Sequence, residues 1–181
     1  MRDLLRKSTK KIHQMAESSM TAGPSRLRAN YEKFQTANAM VVPPFEAAVK
    51  SKTVIDAVPF IDERWRAGAL LGNHDHLGMK VPACKAMNFV PDRASVAGDL
   101  CALEGSRLGF KFILRQLNSP VSILLSRFLS PGAGRHLWNS FVQWLNRQNW
   151  TSGEISTTRV SALSIFNANL SACDDRELVF G

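Results

Sequence analysis

The sequence predicts a mainly α-helical bundle, with a loop-rich middle segment that has room for a short strand and a basic N-terminal arm. Three observations carry this. Apolar residues recur at i, i+3, i+4 and i+7 in three successive stretches after residue 105. Short breaks bearing Pro or Gly separate those stretches. The 181 residues are 45% hydrophobic, enough apolar surface for one core of their own. The organisation read from this is an arm and linker over residues 1–25 and one helical domain over 26–181.

A helix or arm is expected over Asp3–Ser19, where Arg6, Lys7, Lys10 and Lys11 surround a thin apolar set of Leu4, Leu5, Ile12 and Met15. So little apolar surface predicts a segment that orders on a partner. Thr21–Ser25 reads as a linker, because it carries Gly23 and Pro24. A second helix is expected over Arg28–Met40 and stops before Pro43-Pro44, since a residue preceding proline avoids helical angles. In the middle, Val54-Ile55, Val58 and Phe60-Ile61 could form one short strand and Ala67–Leu71 another ending at Gly72. The stripes Phe110/Ile113/Leu114/Leu117, Val121/Leu124/Leu125/Phe128 and Trp138/Phe141/Val142/Leu145 predict three helices. Thr151-Ser-Gly-Glu154 has the form of a capping box, and a last helix over Thr158–Cys173 should bury Val160, Leu163, Phe166 and Leu170.

Charge is the strongest functional signal. The chain carries a net +8, and the excess is not spread evenly. Residues 105–150 hold six Lys/Arg and no carboxylate, while residues 1–35 hold eight against three acids. Arg107, Lys111 and Arg115 lie four apart, so on a helix their heads form one row. Arg127, Arg135 and Arg147 extend it if their helices pack alongside. The expectation drawn from this is a charge-driven, largely sequence-independent nucleic-acid binder, chiefly for RNA. A coat or nucleocapsid protein, a viral nucleoprotein or a ribonucleoprotein subunit would fit, with Arg6, Lys7, Lys10 and Lys11 as an auxiliary clamp. A homo-oligomer would suit such a role, and a scaffold binding an acidic protein is an alternative. Trp144 and Trp150 fall off the apolar stripe and are candidates for base stacking, as is Tyr31; Trp138 lies on the stripe and reads as core.

Cys84, Cys101 and Cys173 are odd in number and form no CxxC pair. That usage reads as reduced thiols in an intracellular, cytoplasmic protein. No apolar run is long enough to span a bilayer. Catalytic templates are sparse: there is no GxSxG elbow, Walker loop or GxGxxG. No cofactor is therefore expected on the main reading.

One string looks chemical. Gly72-Asn-His-Asp-His76 follows a short apolar run and resembles the GNH[DE] segment of calcineurin-like metallophosphoesterases. That resemblance implies a two-metal centre served by Asn73 and His74, activating water on a phosphate ester. The DxH and GDxxD motifs that precede it in that family are missing from residues 1–66. Gly68 with His74-Asp-His76 is also similar to the opening of a cupin motif, without its glutamate. On a strand His74 and His76 would point to one side and could share a divalent metal with Asp75 or His136. A metal-dependent hydrolase centred on them is the second alternative.

Overall fold

The computed structural model describes residues 1–20, 27–50, 56–81, 91–116, 128 and 135–174. Among these it is helical throughout: α1 (Arg2–Met20), α2 (Leu27–Val49), a 3-10 turn (Ile61–Arg64), α3 (Ala67–His76), α4 (Arg93–Gln116), α5 (Arg135–Arg147) and α6 (Ser152–Asp174). The described residues contain no strand. The mainly helical expectation holds.

Helix α6 is the axis of the bundle, with α4, α2 and α1 laid against it. Its long contact with α4 rests on small residues. A Cβ at Gly98 would collide with the Thr158 carbonyl oxygen and the Ser161 Cβ, so only glycine lets the two backbones approach this closely. This explains which face of α6 is buried. Thr158, Ala162 and Ile165 are inside, whereas Val160 is 61% exposed and Leu163, Phe166 and Leu170 are half-buried. The apolar stripe read from the sequence was therefore off by about one step round the helix.

Several ends are fixed by caps. At α6, the Glu154 N–H donates to Thr151 Oγ1 (3.2 Å) and the Thr151 N–H donates to Glu154 Oε2 (2.9 Å), the reciprocal box expected from the sequence. At α4, the Ser95 N–H donates to Asp92 Oδ1 (2.7 Å) and the Asp92 N–H donates to Ser95 Oγ (3.0 Å). Helix α4 thus begins at Arg93, well before the Phe110 stripe that predicted it.

Two expectations are corrected. Helix α2 runs through Pro43 and Pro44 instead of stopping before them. Val41, Val42, Phe45 and Val49 all pack into the core beyond or beside the prolines, and that burial outweighs the lost backbone donors. Ala67–Leu71 is the first half of α3 and not a strand; Phe60-Ile61 lies in the turn leading into the 3-10 segment. The α3 N-terminus is capped from a distance: Glu46 Oε1 accepts from the N–H of Arg66 (2.6 Å) and of Ala67 (3.1 Å). Val54-Ile55 lies outside the described residues, as does the stretch 121–129 except Phe128, which is helical and fully buried.

The basic segment at the start of the chain is docked. Leu5 is fully buried, Arg2 N donates to Asn146 Oδ1 of α5 (3.4 Å), and α1 packs along α6.

Candidate functional site

The cations singled out from the sequence are distributed over separate elements. Arg6, Lys7, Lys10 and Lys11 are exposed on α1. Arg107, Lys111 and Arg115 occupy the C-terminal half of α4, but their side chains lie outside the described residues, as does Arg127 altogether. Arg135 and Arg147 open and close α5, about 18 Å apart at 1.5 Å per residue, so they do not join one row; Arg147 is exposed. The stacking candidates are also accounted for. Trp144 is 8% exposed, and Trp150 is half-buried, donating from Nε1 to the Leu145 carbonyl (2.8 Å) under the Arg93 guanidinium. Tyr31 is on α2, and its side chain lies outside the described residues.

The histidine pair does not converge. On a helix, positions i and i+2 diverge by about 200°, and α3 accordingly buries His74 completely while His76 is exposed. His136 is on α5, exposed, with Nε2 3.0 Å from Glu63 Oε2 and its ring edge-on to Phe60. Among the described residues no three His, Cys, Asp or Glu side chains are grouped to hold a metal ion.

The fourth histidine is different. His13 is half-buried on α1, its ring edge-on to Phe166 of α6 at 5.7 Å between centroids. Arg6, Lys10 and His13 fall at i, i+4 and i+7, so two exposed cations share the histidine's face. The sequence reading passed over His13 and took the lysines around it for a phosphate clamp. Its position at the boundary between the basic residues and Ile12/Met15 was the available signal.

His13 lies where α1 packs on α6, and α4 packs along α6 as well. Arg93 of α4 pairs with Glu154 of α6, and Gly98 of α4 abuts Thr158–Ala162, so α4 and α6 run parallel. Among the described residues α1 and α4 both pack on α6 or α5 yet share no extensive contact with each other. Gly105 of α4 faces α5, where a Cβ would meet the Trp138 ring at 3.9 Å.

Next to Gly105 lies a buried ion network. Arg64 Nη1 meets Glu104 Oε2 at 3.1 Å with side-chain exposures of 0% and 2%. Arg64 also donates to the carbonyls of Pro59 and Leu137 (2.9 Å each) and to Ser140 Oγ (3.2 Å). Burial pulls the Arg64 pKa down while Glu104 holds it up. Arg66 donates from Nη2 to the Leu103 carbonyl of α4 (3.2 Å) and lies over the Phe128 ring.

Two other titratable groups on α4 are shifted by burial. The Cys101 thiol is pushed up to about 11, burial outweighing Arg2, which leaves it un-ionised and unreactive. Burial, reinforced by Asp92, pushes the Asp99 carboxyl up to about 7. Its ordinary value is 3.8, so between those pH values the unfolded chain has released a proton that the folded chain still holds. Stability must then fall as pH rises from about 4 to about 7. Asp99→Asn is expected to remove that slope and to be the more stable protein above pH 7, by at most on the order of 4 kcal/mol. Urea midpoints across this window check it; parallel wild-type and variant curves would refute it.

No family model matches the sequence, and no curated protein matches it significantly. A solved structure does. The chain is similar to the heme oxygenase of Neisseria meningitidis, determined with NO and CO bound, with a TM-score of 0.74 over 96% of this chain and 90% of that one, at 20% identity. The fold is heme oxygenase-like. That finding overturns the expectation of an RNA-binding coat, nucleocapsid or ribonucleoprotein subunit, and of a scaffold for an acidic protein. The physical reason for the misreading is that excess positive charge favours anionic surroundings in general and by itself identifies no ligand. The hydrolase alternative loses its basis too, because α3 turns His74 and His76 apart. No described helix is long and apolar enough to cross a membrane.

Proposed function

We propose that this chain binds heme through His13 and is an oxygenase acting on it. The observation that carries the reading is His13, half-buried on α1 against Phe166 and sharing its face with two exposed cations, in a bundle whose fold resembles that of a heme oxygenase. The residues present suit the group. A neutral imidazole is an established axial ligand of heme iron, and the cations at Arg6 and Lys10 share its face, placed for the propionates of a heme edge.

The other histidines suit it less. His74 is sealed in the core, and the small cavity lined by Phe45, Arg64 and Leu103 beside the ion network is not lined by it and is far too small for a macrocycle. His136 is engaged with Glu63, and His76 ends a helix on the surface.

When bound, heme would supply the iron at which dioxygen is activated, as in the enzyme this fold resembles. The protein's part is binding and orientation. His13 would hold the group, Phe166 would support the imidazole, and Lys10 and Arg6 would anchor its charged edge. Titration of the purified protein with hemin should give a saturable one-to-one Soret band that bleaches in air with a reductant. Absence of a saturable band would overturn the reading.

A further inference from the structure

Helix α1 presents one more face, which neither the core nor the heme site proposed above uses. Leu5 is buried against the bundle, and Arg6, Lys10 and His13 follow one another at i, i+4 and i+7. Leu4, Lys7, Lys11 and Met15 fall at i, i+3, i+7 and i+11, so they make a separate stripe. Lys7 and Lys11 stand one residue after Arg6 and Lys10, and the stripe therefore lies about 100° further round the helix. All four of its side chains are exposed, Leu4 at 39% and Met15 at 53%. Among the described residues neither Lys7 nor Lys11 is in an ion pair with a carboxylate. Asp3 is the one acid among residues 1–16.

The lysines alone select no partner, because a soluble polyanion, an acidic protein and an anionic bilayer all attract them. The ends of the stripe do select one. Leu4 and Met15 stand about 16 Å apart along the axis, with both lysines between them. A phosphate chain in water gains nothing by covering two apolar side chains. A bilayer takes them into the boundary between headgroups and acyl chains, while lysine stems reach back to the lipid phosphates. No described helix is long and apolar enough to cross a membrane, so the contact runs along α1 and not through it.

We propose that the Leu4/Lys7/Lys11/Met15 stripe docks the protein on an anionic lipid bilayer, with α1 lying flat on the surface, Lys7 and Lys11 on lipid phosphates, and Leu4 and Met15 below them. The bundle stays folded behind α1, because the docked stripe is not the side that packs on α6. The surface and His13 are on different sides of the helix, so the proposal does not rest on heme binding.

The test is sedimentation of the purified chain with vesicles of equimolar phosphatidylglycerol and phosphatidylcholine, and with phosphatidylcholine alone. The chain should partition onto the anionic vesicles at low salt, leave them as salt rises, and ignore the neutral ones. Lys7→Gln with Lys11→Gln should weaken partitioning by roughly thirtyfold. Leu4→Gln with Met15→Gln keeps every charge and should weaken it by roughly tenfold. The same apolar variant should bind heparin, a soluble polyanion, as wild type does. Both variants place a good helix former at exposed positions, so their melting temperatures should stay close to that of wild type. Should a double variant not fold, Lys11→Gln and Met15→Gln singly ask the same questions with smaller effects. No partitioning onto anionic vesicles at low salt overturns the proposal, as does partitioning that survives the loss of both lysines or that is equal on neutral vesicles. An apolar variant that binds the vesicles like wild type reduces the stripe to a patch of charge and overturns it too.

Discussion

Glu104→Ala should cost about 3–5 kcal/mol of folding stability, a large share of the 5–15 kcal/mol typical of a domain, and lower the melting temperature by about 10 °C. The argument is one of stranded charge. Arg64 has a fully buried side chain; Glu104 is the carboxylate that acts on it most strongly, Glu63 less, and the Pro59 and Leu137 carbonyls and Ser140 Oγ that it also meets are neutral. They orient the guanidinium but do not neutralise it. Glu104→Gln keeps the volume and should still lose most of that amount. Replacing both partners by Arg64→Met and Glu104→Leu removes the charges together and should recover much of the loss, since a buried pair offsets its own desolvation only in part. Urea unfolding of the two single variants and the double variant gives the coupling directly. A loss under about 1 kcal/mol for Glu104→Ala, the range of an exposed pair, would mean that water reaches the pair.

That network also marks the limit of what the sequence displays. Local signals were legible: Thr151/Glu154 announced the start of α6 through side chain and backbone three residues apart, and the Trp138/Phe141/Leu145 stripe located α5. Asp92-Arg-Ala-Ser95 was as readable and would have placed the start of α4. What could not be read is made at long range. The α3 cap comes from Glu46, twenty residues upstream, so Ala67–Leu71, ending at Gly72, passed for a strand. Arg64 and Glu104 are forty residues apart, and counted only as entries in a charge balance. The histidines show the same limit: His74 and His76 are near neighbours in the sequence, yet one helix turns them apart, whereas the contact of His13 with Phe166 is made across 153 residues.

His13→Ala should abolish the ordered attachment of heme, with an expected loss of affinity of roughly a hundredfold or more, beyond the 10–100-fold seen when only an outer partner of a metal ligand is removed. The fold should survive, because His13 is half-buried at the bundle's margin and its contact with Phe166 is one edge of one ring; a few degrees in melting temperature is the scale to expect. Two controls separate ligation from packing. Free imidazole should enter the space left by the side chain and restore the Soret band of His13→Ala, which no repair of packing would do. His136→Ala, which removes a surface histidine paired with Glu63, should titrate as wild type does. A double replacement of Arg6 and Lys10 by Gln tests the anionic edge: with the imidazole intact the band position should be unchanged, while affinity falls and its dependence on salt weakens, since screening acts on exposed charges. Should His13→Ala bind hemin with an unaltered band while His74→Ala does not, the ligand would be the buried histidine of α3, and α3 would have to open to admit it.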